Sequence, residues 1–277
     1  MPKTVRALLL ASHPGPTVVV TIVAGVLGLG LSYDPARLIL LMAAILAGQL
    51  SIGWSNDWID AGRDAAVHRA DKPAARGAVA VGVVRTAAFI AAGVMIVLSL
   101  LLGPLAAIVH IVAVASGWAY NLGLKNTPVS VVPYAVSFGL LPAVATLGQV
   151  VPQVPAPWVV VVGALLGIAA HFTNVLPDLA YDRDTGVRGL PHRLGARASG
   201  YIAFACVALA TIILTFGPGS EPGPVLIAGL VIGLVITAIG VVLVARTNTT
   251  RLLMQLIMAC ALIDVVMLAL AGQSIAL

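Results

Sequence analysis

Nine apolar stretches of 18–24 residues follow one another along the chain, separated by short polar segments. A helix of about 20 apolar residues crosses the hydrocarbon core of a bilayer. Backbone polar groups find no partners in lipid, so such stretches are expected to be helical. The sequence therefore predicts an all-α, polytopic membrane protein with nine transmembrane helices. The stretches cover residues 14–33, 37–55, 79–102, 104–121, 128–150, 158–176, 199–217, 224–245 and 253–272.

The overall composition excludes an ordinary soluble fold. Hydrophobic residues make up 60% of the chain and charged residues only 9%. Soluble domains are about 45–50% apolar and about 25% charged, and their interiors have limited volume for apolar side chains. We expect a single integral membrane domain over residues 1–277, with the lipid bilayer around it and no soluble module. The two cysteines lie inside apolar stretches and indicate neither a disulfide framework nor a metal site.

The distribution of basic residues predicts the orientation. Cytoplasmic loops of membrane proteins carry an excess of lysine and arginine. If the N-terminus is cytoplasmic, 14 of the 15 basic residues fall on the cytoplasmic side, and only Arg37 falls outside. The net charge of +5 is therefore a topology signal, and we expect no nucleic-acid partner. The prediction is a multi-pass protein of the cell membrane with a cytoplasmic N-terminus and an external C-terminus.

Seven of the ten acidic residues lie in two segments on the predicted cytoplasmic side. The first segment ends the second apolar stretch and carries Asn56, Asp57, Asp60 and Asp64. A helix turns about 100° per residue, so these four side chains are expected on one helix face. The spacing predicts a cluster of oxygen atoms at the cytoplasmic membrane surface.

The second acidic segment repeats this spacing at the end of the sixth stretch, with Asn174, Asp178 and Asp182. These residues also share a helix face, whereas Asp184 points away. The matching Asn-x3-Asp-x3-Asp patterns indicate an internal repeat of a four-helix unit. The alternative interpretation, solvated helix ends with capping aspartates, explains one cluster better than two matched clusters on the same side.

Carboxylates brought together from both segments would repel one another unless cations bind between them. Mg²⁺ takes oxygen ligands and commonly bridges carboxylates and substrate phosphates. The pattern therefore predicts a Mg²⁺ site and a phosphate-containing substrate. Basic side chains beside the clusters could meet phosphate oxygens that no metal holds. The candidates are Arg63, Arg69, Lys72, Lys125, Arg183, Arg188 and Arg193.

These motifs resemble those of the UbiA superfamily of membrane prenyltransferases. Asn56-Asp57-x2-Asp60-x3-Asp64 matches the first motif of that family, and Asp178-x3-Asp182 matches its second. Weaker likenesses lie in Asp71-Lys72-Pro73, in Tyr120 to Lys125, and in the segment 186–195. Together with the nine-helix plan, the resemblance extends over essentially the whole chain.

The resemblance implies a helical bundle around a central cavity, capped by two cytoplasmic loops. It implies two Mg²⁺ ions, an isoprenyl diphosphate and a hydrophobic acceptor. The metal ligands carried over are Asn56, Asp60, Asp64, Asp178 and Asp182, and the four aspartates among them are the predicted catalytic residues. The predicted substrate-binding residues are Asn56, Asp57, Asn174, Tyr120, Lys125, Arg63, Lys72 and Arg188.

The acceptor and the precise reaction stay open at this point. Members that prenylate hydroxybenzoate carry Arg-Pro near the start of the first helix, whereas this chain has His13-Pro14, which disfavours that acceptor. A terpene cyclase or a phosphoribosyltransferase on the same scaffold is an alternative. A transporter fits less well, because its ionisable residues usually lie near the membrane midplane. A CDP-alcohol phosphotransferase is also disfavoured. The Asp-Gly-x2-Ala-Arg core of such enzymes is missing at Asp60, which is followed by Ala61-Gly62-Arg63.

Asp264 lies near the middle of the ninth stretch. A charged residue there costs roughly 2.5–3.5 kcal/mol on insertion scales, so we expect it to face the bundle interior. It either faces the acceptor pocket or forms a hydrogen bond to a neighbouring helix. His110 and His171 are candidate partners in other stretches.

Overall fold

A computed structural model describes residues 3–67, 72–179, 187–246 and 250–277. Ten α-helices are bounded within this part of the chain. They are α1 (Lys3–Ala11), α2 (Pro14–Gly30), α3 (Pro35–Ala66), α4 (Val81–Leu102), α5 (Pro104–Leu122), α6 (Val132–Leu147), α7 (Pro157–Val175), α8 (Leu190–Phe216), α9 (Pro224–Arg246) and α10 (Thr250–Ala271).

The all-α membrane fold predicted from the sequence is confirmed, but the count of nine spans is not. Seven helices of the described chain are long and apolar enough to cross a membrane, namely α3, α4, α5, α7, α8, α9 and most of α10. The pair α1 and α2 passes the same test only together, with a bend of 64° between them. Helix α6 has 16 residues, which is about 24 Å of helix against a hydrocarbon core of about 30 Å.

Proline begins several of the helices, including α2, α3, α5 and α7. Proline is favoured there because its missing N–H would have no partner in the first helical turn anyway. Helix α3 is also capped by Asp34, whose carboxylate accepts hydrogen bonds of 3.0 Å from the backbone N–H groups of Ala36 and Arg37. This cap fixes the residue at which the helix begins, and the same helix carries the first aspartate motif.

The helices pack through small residues and leave apolar side chains on the outer surface. Ile90, Leu101 and Leu262 are more than 60% exposed, as expected for side chains that face lipid. Inside the bundle, a Cβ added at Gly163 of α7 would lie 2.4 Å from the backbone carbonyl oxygen of Phe138 in α6. Such close approaches are typical of membrane helices, where glycine allows backbones to come together.

Arg37 joins helices at the end of the bundle opposite the aspartates of α3, which we call the Arg37 end. Its guanidinium donates to the carbonyl oxygens of Gly148 (2.6 Å) and Gln149 (3.2 Å), just after α6. It also donates to the carbonyl of Leu102, the last residue of α4. The last carbonyls of a helix have no intrahelical partner, so Arg37 satisfies groups that would otherwise be unpaired.

Asp264 connects α10 to α8. Its side chain is fully buried, and its Oδ1 lies 2.7 Å from the Thr211 hydroxyl, within hydrogen-bond distance. The two histidines considered from the sequence have other partners: His110 pairs with Ser99, and His171 with Ser130. Asp264 therefore bridges helices, and it is not among the residues that line the cavity described next.

Candidate functional site

A cavity of about 460 Å³ lies at the end of the bundle where α3 carries its aspartates, and we call this the motif end. Its walls come from α2, α3, α5, α6, α7 and α8, together with residues of the break between α1 and α2, of the loop after α3, just after α5 and just before α8. Part of the lining is apolar or aromatic, and part is charged or polar. The charged and amide side chains in the wall are Gln49, Asn56, Asp60, Arg63, Asp64, Lys72, Asn121, Lys125 and Asn174.

The first motif lies on one uninterrupted helix, because α3 runs from Pro35 to Ala66. Asn56, Asp60 and Asp64 follow one another at every fourth residue, so their side chains stack along one face toward the cavity. Asp60 and Asp64 are only 6% and 3% exposed. Charged side chains are rarely buried to this degree unless they are paired, and the surrounding cations supply the partners.

Three side chains hold the carboxylate of Asp60. Lys125 forms an ion pair with its Oδ1, and Arg63 lies 3.0 Å from its Oδ2. The amide of Asn56 also donates to Oδ2, at 3.2 Å. Arg63 reaches Asp64 as well, at 3.4 Å. The two carboxylates are thus arranged in a charged network before any substrate is considered.

Lys125 reaches this network from the turn that follows α5. Its side chain is buried, and burial lowers the pKa of its ammonium, although the nearby carboxylate of Asp60 opposes the shift. The start of α8 packs on the same turn: a Cβ added at Gly189 would lie 2.5 Å from the carbonyl oxygen of Lys125. Only glycine permits this approach. The segment that follows the second motif is therefore fixed directly against Lys125.

Asp57, which the sequence predicts beside substrate, is not among the residues of the cavity wall. It is 1% exposed, and its Oδ2 accepts a hydrogen bond of 3.2 Å from the backbone N–H of Ala74. One residue after Asn56 is a rotation of about 100°, which is enough to turn Asp57 toward the loop after α3. Asp57 holds that loop against the helix.

Lys72, in that loop, does line the cavity. Its ammonium lies 3.1 Å from the amide oxygen of Asn56 and 3.5 Å from Oδ1 of Asp57. It also lies 2.9 Å from Nε2 of His13, which lines the cavity as well. Three cations, Arg63, Lys72 and Lys125, therefore border the cavity.

The second motif does not continue as one α-helix, contrary to the sequence-based expectation. Helix α7 ends at Val175, and Leu176–Asp178 form a 3-10 turn. Pro177 accounts for the change, because it has no N–H to donate to the carbonyl four residues earlier. Asn174 still borders the cavity, 3.5 Å from the hydroxyl of Tyr134.

Several predicted residues lie outside the described part of the chain or away from the cavity. Asp182 lies outside the described residues, as do Arg69, Arg183 and Asp184, and the side chain of Asp178 is also undescribed. Arg188 is exposed and is not among the residues of the cavity wall. The α3 half of the predicted site is therefore the half whose geometry is known.

Aromatic rings also line the cavity. Tyr120, predicted from the sequence, packs edge-on against Tyr134 with ring centroids 5.2 Å apart, and Tyr134 stacks on Phe138. Sequence reasoning missed Tyr134 and Phe138, since two aromatics four residues apart look like ordinary helix packing. It also missed Asn121 as a site residue, whose oxygen accepts a hydrogen bond of 3.2 Å from Asn56.

The donor set at the motif end is compatible with Mg²⁺. Within the described residues, no three His, Cys, Asp or Glu side chains converge on one point. Mg²⁺ does not need such a cage, because it is usually held by one or two carboxylates together with substrate phosphates and water. Asp60, Asp64 and the amide of Asn56 provide hard oxygen donors of that kind beside the cavity.

The fold and the site define a class: an all-helical membrane protein with a cavity at one end, bordered by carboxylates, cations and aromatic rings. A model of the UbiA prenyltransferase family matches residues 17–271. The chain therefore belongs to the UbiA prenyltransferase family and is an enzyme of that family, which confirms the resemblance seen in its motifs. A comparison with the sequences of curated proteins finds no match.

Solved structures share the fold over nearly the whole chain at low sequence identity. A digeranylgeranylglyceryl phosphate synthase superposes with a TM-score of 0.74 and 16% identity, over 98% of this chain and 99% of its own. A UbiA homologue from Archaeoglobus fulgidus, bound to GPP and Mg²⁺, gives 0.74 and 13%, over 97% and 99%. A UbiA homologue from Aeropyrum pernix K1 gives 0.70 and 16%, over 91% and 98%.

Proposed function

We propose that this enzyme transfers the prenyl group of an isoprenyl diphosphate to a hydrophobic, electron-rich acceptor within the membrane, with Mg²⁺ as cofactor. The observation that carries the proposal is one cavity whose lining combines two kinds of side chain. Carboxylates and cations form part of the lining, and the rings of Tyr120, Tyr134 and Phe138 form another part. A diphosphate with an apolar tail has the same two-part character.

The charged part of the lining is suited to the diphosphate. Arg63, Lys72 and Lys125 provide donors for its oxygen atoms, and charge-assisted hydrogen bonds of this kind are stronger than neutral ones. Asp60, Asp64 and Asn56 would hold Mg²⁺, and we extend this role to Asp178 and Asp182 of the second motif. When bound, Mg²⁺ supplies positive charge that neutralises the leaving diphosphate.

The reaction needs no nucleophilic side chain from the protein. The electron pair of the allylic C–O bond leaves with the diphosphate, whose growing charge Arg63, Lys72 and Lys125 stabilise. The electron pair of the acceptor forms the new bond to the prenyl carbon, and the acceptor then loses a proton. The aromatic part of the lining keeps water away from the electron-deficient prenyl group during this exchange.

Similar proteins support the substrate class. Structures of the Archaeoglobus fulgidus homologue contain GPP and Mg²⁺ or DMAPP and Mg²⁺.

The orientation is also part of the proposal: the motif end faces the cytoplasm, and the Arg37 end faces outward. Cysteines introduced singly at Ala75 and at Arg197 should react with membrane-permeant reagents only. Labelling of both from outside intact cells would contradict this orientation.

The direct test supplies isotopically labelled GPP or DMAPP to membranes containing the enzyme and analyses lipid extracts by mass spectrometry. We expect a labelled lipid product that requires Mg²⁺ and disappears with EDTA. Membranes containing Asp60→Asn are the matched control and should give no product. Full turnover in EDTA would contradict the proposed chemistry. Release of diphosphate with a cyclic hydrocarbon product and no acceptor would instead identify a terpene cyclase.

A further inference from the structure

His13 lies at the break between α1 and α2 in a backbone conformation that residues other than glycine seldom adopt. Its φ and ψ are 54° and 63°, in the left-handed region. Histidine enters this region more readily than most residues, but such conformations persist only where the surrounding structure enforces them. They are also concentrated at functional sites, so the contacts of His13 are of interest.

The break is enforced by its packing against α3. A Cβ added at Gly53 would lie 2.3 Å from the carbonyl oxygen of Ser12, so the break touches the helix backbone directly. The hydroxyl of Thr17 donates to the same carbonyl at 2.8 Å. Gly53 lies about one turn before Asn56 on α3. His13 is therefore fixed next to the first aspartate motif.

The ring of His13 is directed at Lys72. Its Nε2 lies 2.9 Å from the lysine ammonium. An ammonium can only donate hydrogen bonds, so Nε2 must be the acceptor and the imidazole is neutral, with its proton on Nδ1. Within the described residues, the Lys72 ammonium has two hydrogen-bond acceptors, His13 and the Asn56 amide oxygen at 3.1 Å, and an ion-pair contact of 3.5 Å to Oδ1 of Asp57.

These contacts place the lysine between two separate elements. Asn56 and Asp57 hold the ammonium from α3, and His13 holds it from the start of α2. A neutral acceptor differs from a carboxylate in one respect. It orients the ammonium but leaves its positive charge available for an incoming anion.

We propose that His13 is a positioning residue that holds the Lys72 ammonium at the cavity in the place where it meets the diphosphate. The role rests on the proposed function, in which Lys72 is a diphosphate ligand. His13 also lines the cavity, but in this role it acts through Lys72. Its loss should therefore weaken diphosphate binding and leave the chemical step largely unchanged.

Three variants separate the contact from the backbone strain. His13→Ala removes the acceptor and keeps the strain, whereas His13→Gly removes both. His13→Gln keeps an acceptor at the reach of Nε2 and has the same strain as the alanine variant. We expect the alanine and glycine variants to raise the KM for GPP or DMAPP about tenfold, with kcat little changed, and the glutamine variant to restore most of the affinity.

The Lys72→Met background provides the second measurement. If His13 acts through Lys72, adding His13→Gly to Lys72→Met should raise KM little further, whereas independent effects would multiply. A wild-type KM in His13→Gly, a glutamine variant no better than alanine, or fully multiplicative effects would overturn the proposal. Absence of any GPP or DMAPP turnover in the wild-type enzyme would overturn the proposed function instead.

Discussion

The two aspartate motifs have the same spacing but different backbones. Asn56, Asp60 and Asp64 lie on the continuous helix α3, whereas the helix that carries Asn174 ends at Val175. Asn56 contacts Asp60, Lys72 and Asn121. Asn174 is exposed, and its one side-chain hydrogen bond within the described residues is to the hydroxyl of Tyr134, at 3.5 Å. Equal spacing in sequence thus produced one prearranged half-site and one whose geometry depends on a break at Pro177.

The largest expected effect tests whether both motifs nevertheless share one role. Replacement of any of the four aspartates Asp60, Asp64, Asp178 or Asp182 by alanine should reduce kcat by at least about a thousandfold, since each would remove a ligand of Mg²⁺. Activity at several Mg²⁺ concentrations is the measurement, with the thermal unfolding of each variant as a control. Near-normal turnover for the second-motif variants alone would show that only α3 holds the metal.

The second largest effect on activity is expected from replacing Lys125. Lys125→Met should lower kcat/KM for the isoprenyl diphosphate by about a hundredfold or more, because it removes a diphosphate donor and leaves Asp60 with one cation fewer. Burial lowers the pKa of Lys125, so its ammonium loses its proton at a lower pH than an exposed lysine. The alkaline decline of kcat/KM should therefore begin earlier than an ordinary lysine would cause. Lys125→Arg, which stays charged, should show no such decline if it retains activity.

The two asparagines give the sharpest contrast between the motifs. Asn56→Ala should cost about 2 kcal/mol in kcat/KM, because it removes contacts to Asp60, Lys72 and Asn121 at once. Asn174→Ala should cost less than about 1 kcal/mol, since its one described hydrogen bond is long. Equal losses would mean that substrate or metal brings Asn174 into a role equivalent to that of Asn56.

Asp264 should show the smallest effect, because it belongs to neither motif. The Thr211 hydroxyl has one proton but lies 2.9 Å from the carbonyl of Val207 and 2.7 Å from Asp264. Both distances are satisfied if Asp264 is protonated and donates to Thr211, and the amide of asparagine can donate in the same way. Asp264→Asn should keep most turnover and lose at most about 1–2 kcal/mol of stability. A collapse of kcat with intact GPP binding would show instead that its charge serves the chemistry.

The fold was predictable because lipid imposes a strong pattern on sequence, but its details depended on local exceptions. The stretch 128–150 gave only the 16 residues of α6, and the first stretch starts after a bend at His13. The α3 motif was predictable because the helix is uninterrupted. The wall residues Tyr134 and Asn121 were not, since nothing in their own segments shows which helices become neighbours.

Arg37 at the far end of the molecule has a consequence for the membrane as a barrier. Between it and the cavity lies an apolar core that includes Leu27, Leu41, Leu102 and Val159, all at most 2% exposed. Arg37 ties the ends of α4 and α6 together beyond that core. A charged substrate in the cavity, as proposed above, would therefore be separated from the Arg37 end by a layer of closely packed apolar side chains. Such a layer would let the enzyme bind charged reactants within the bilayer without opening a path for ions across it.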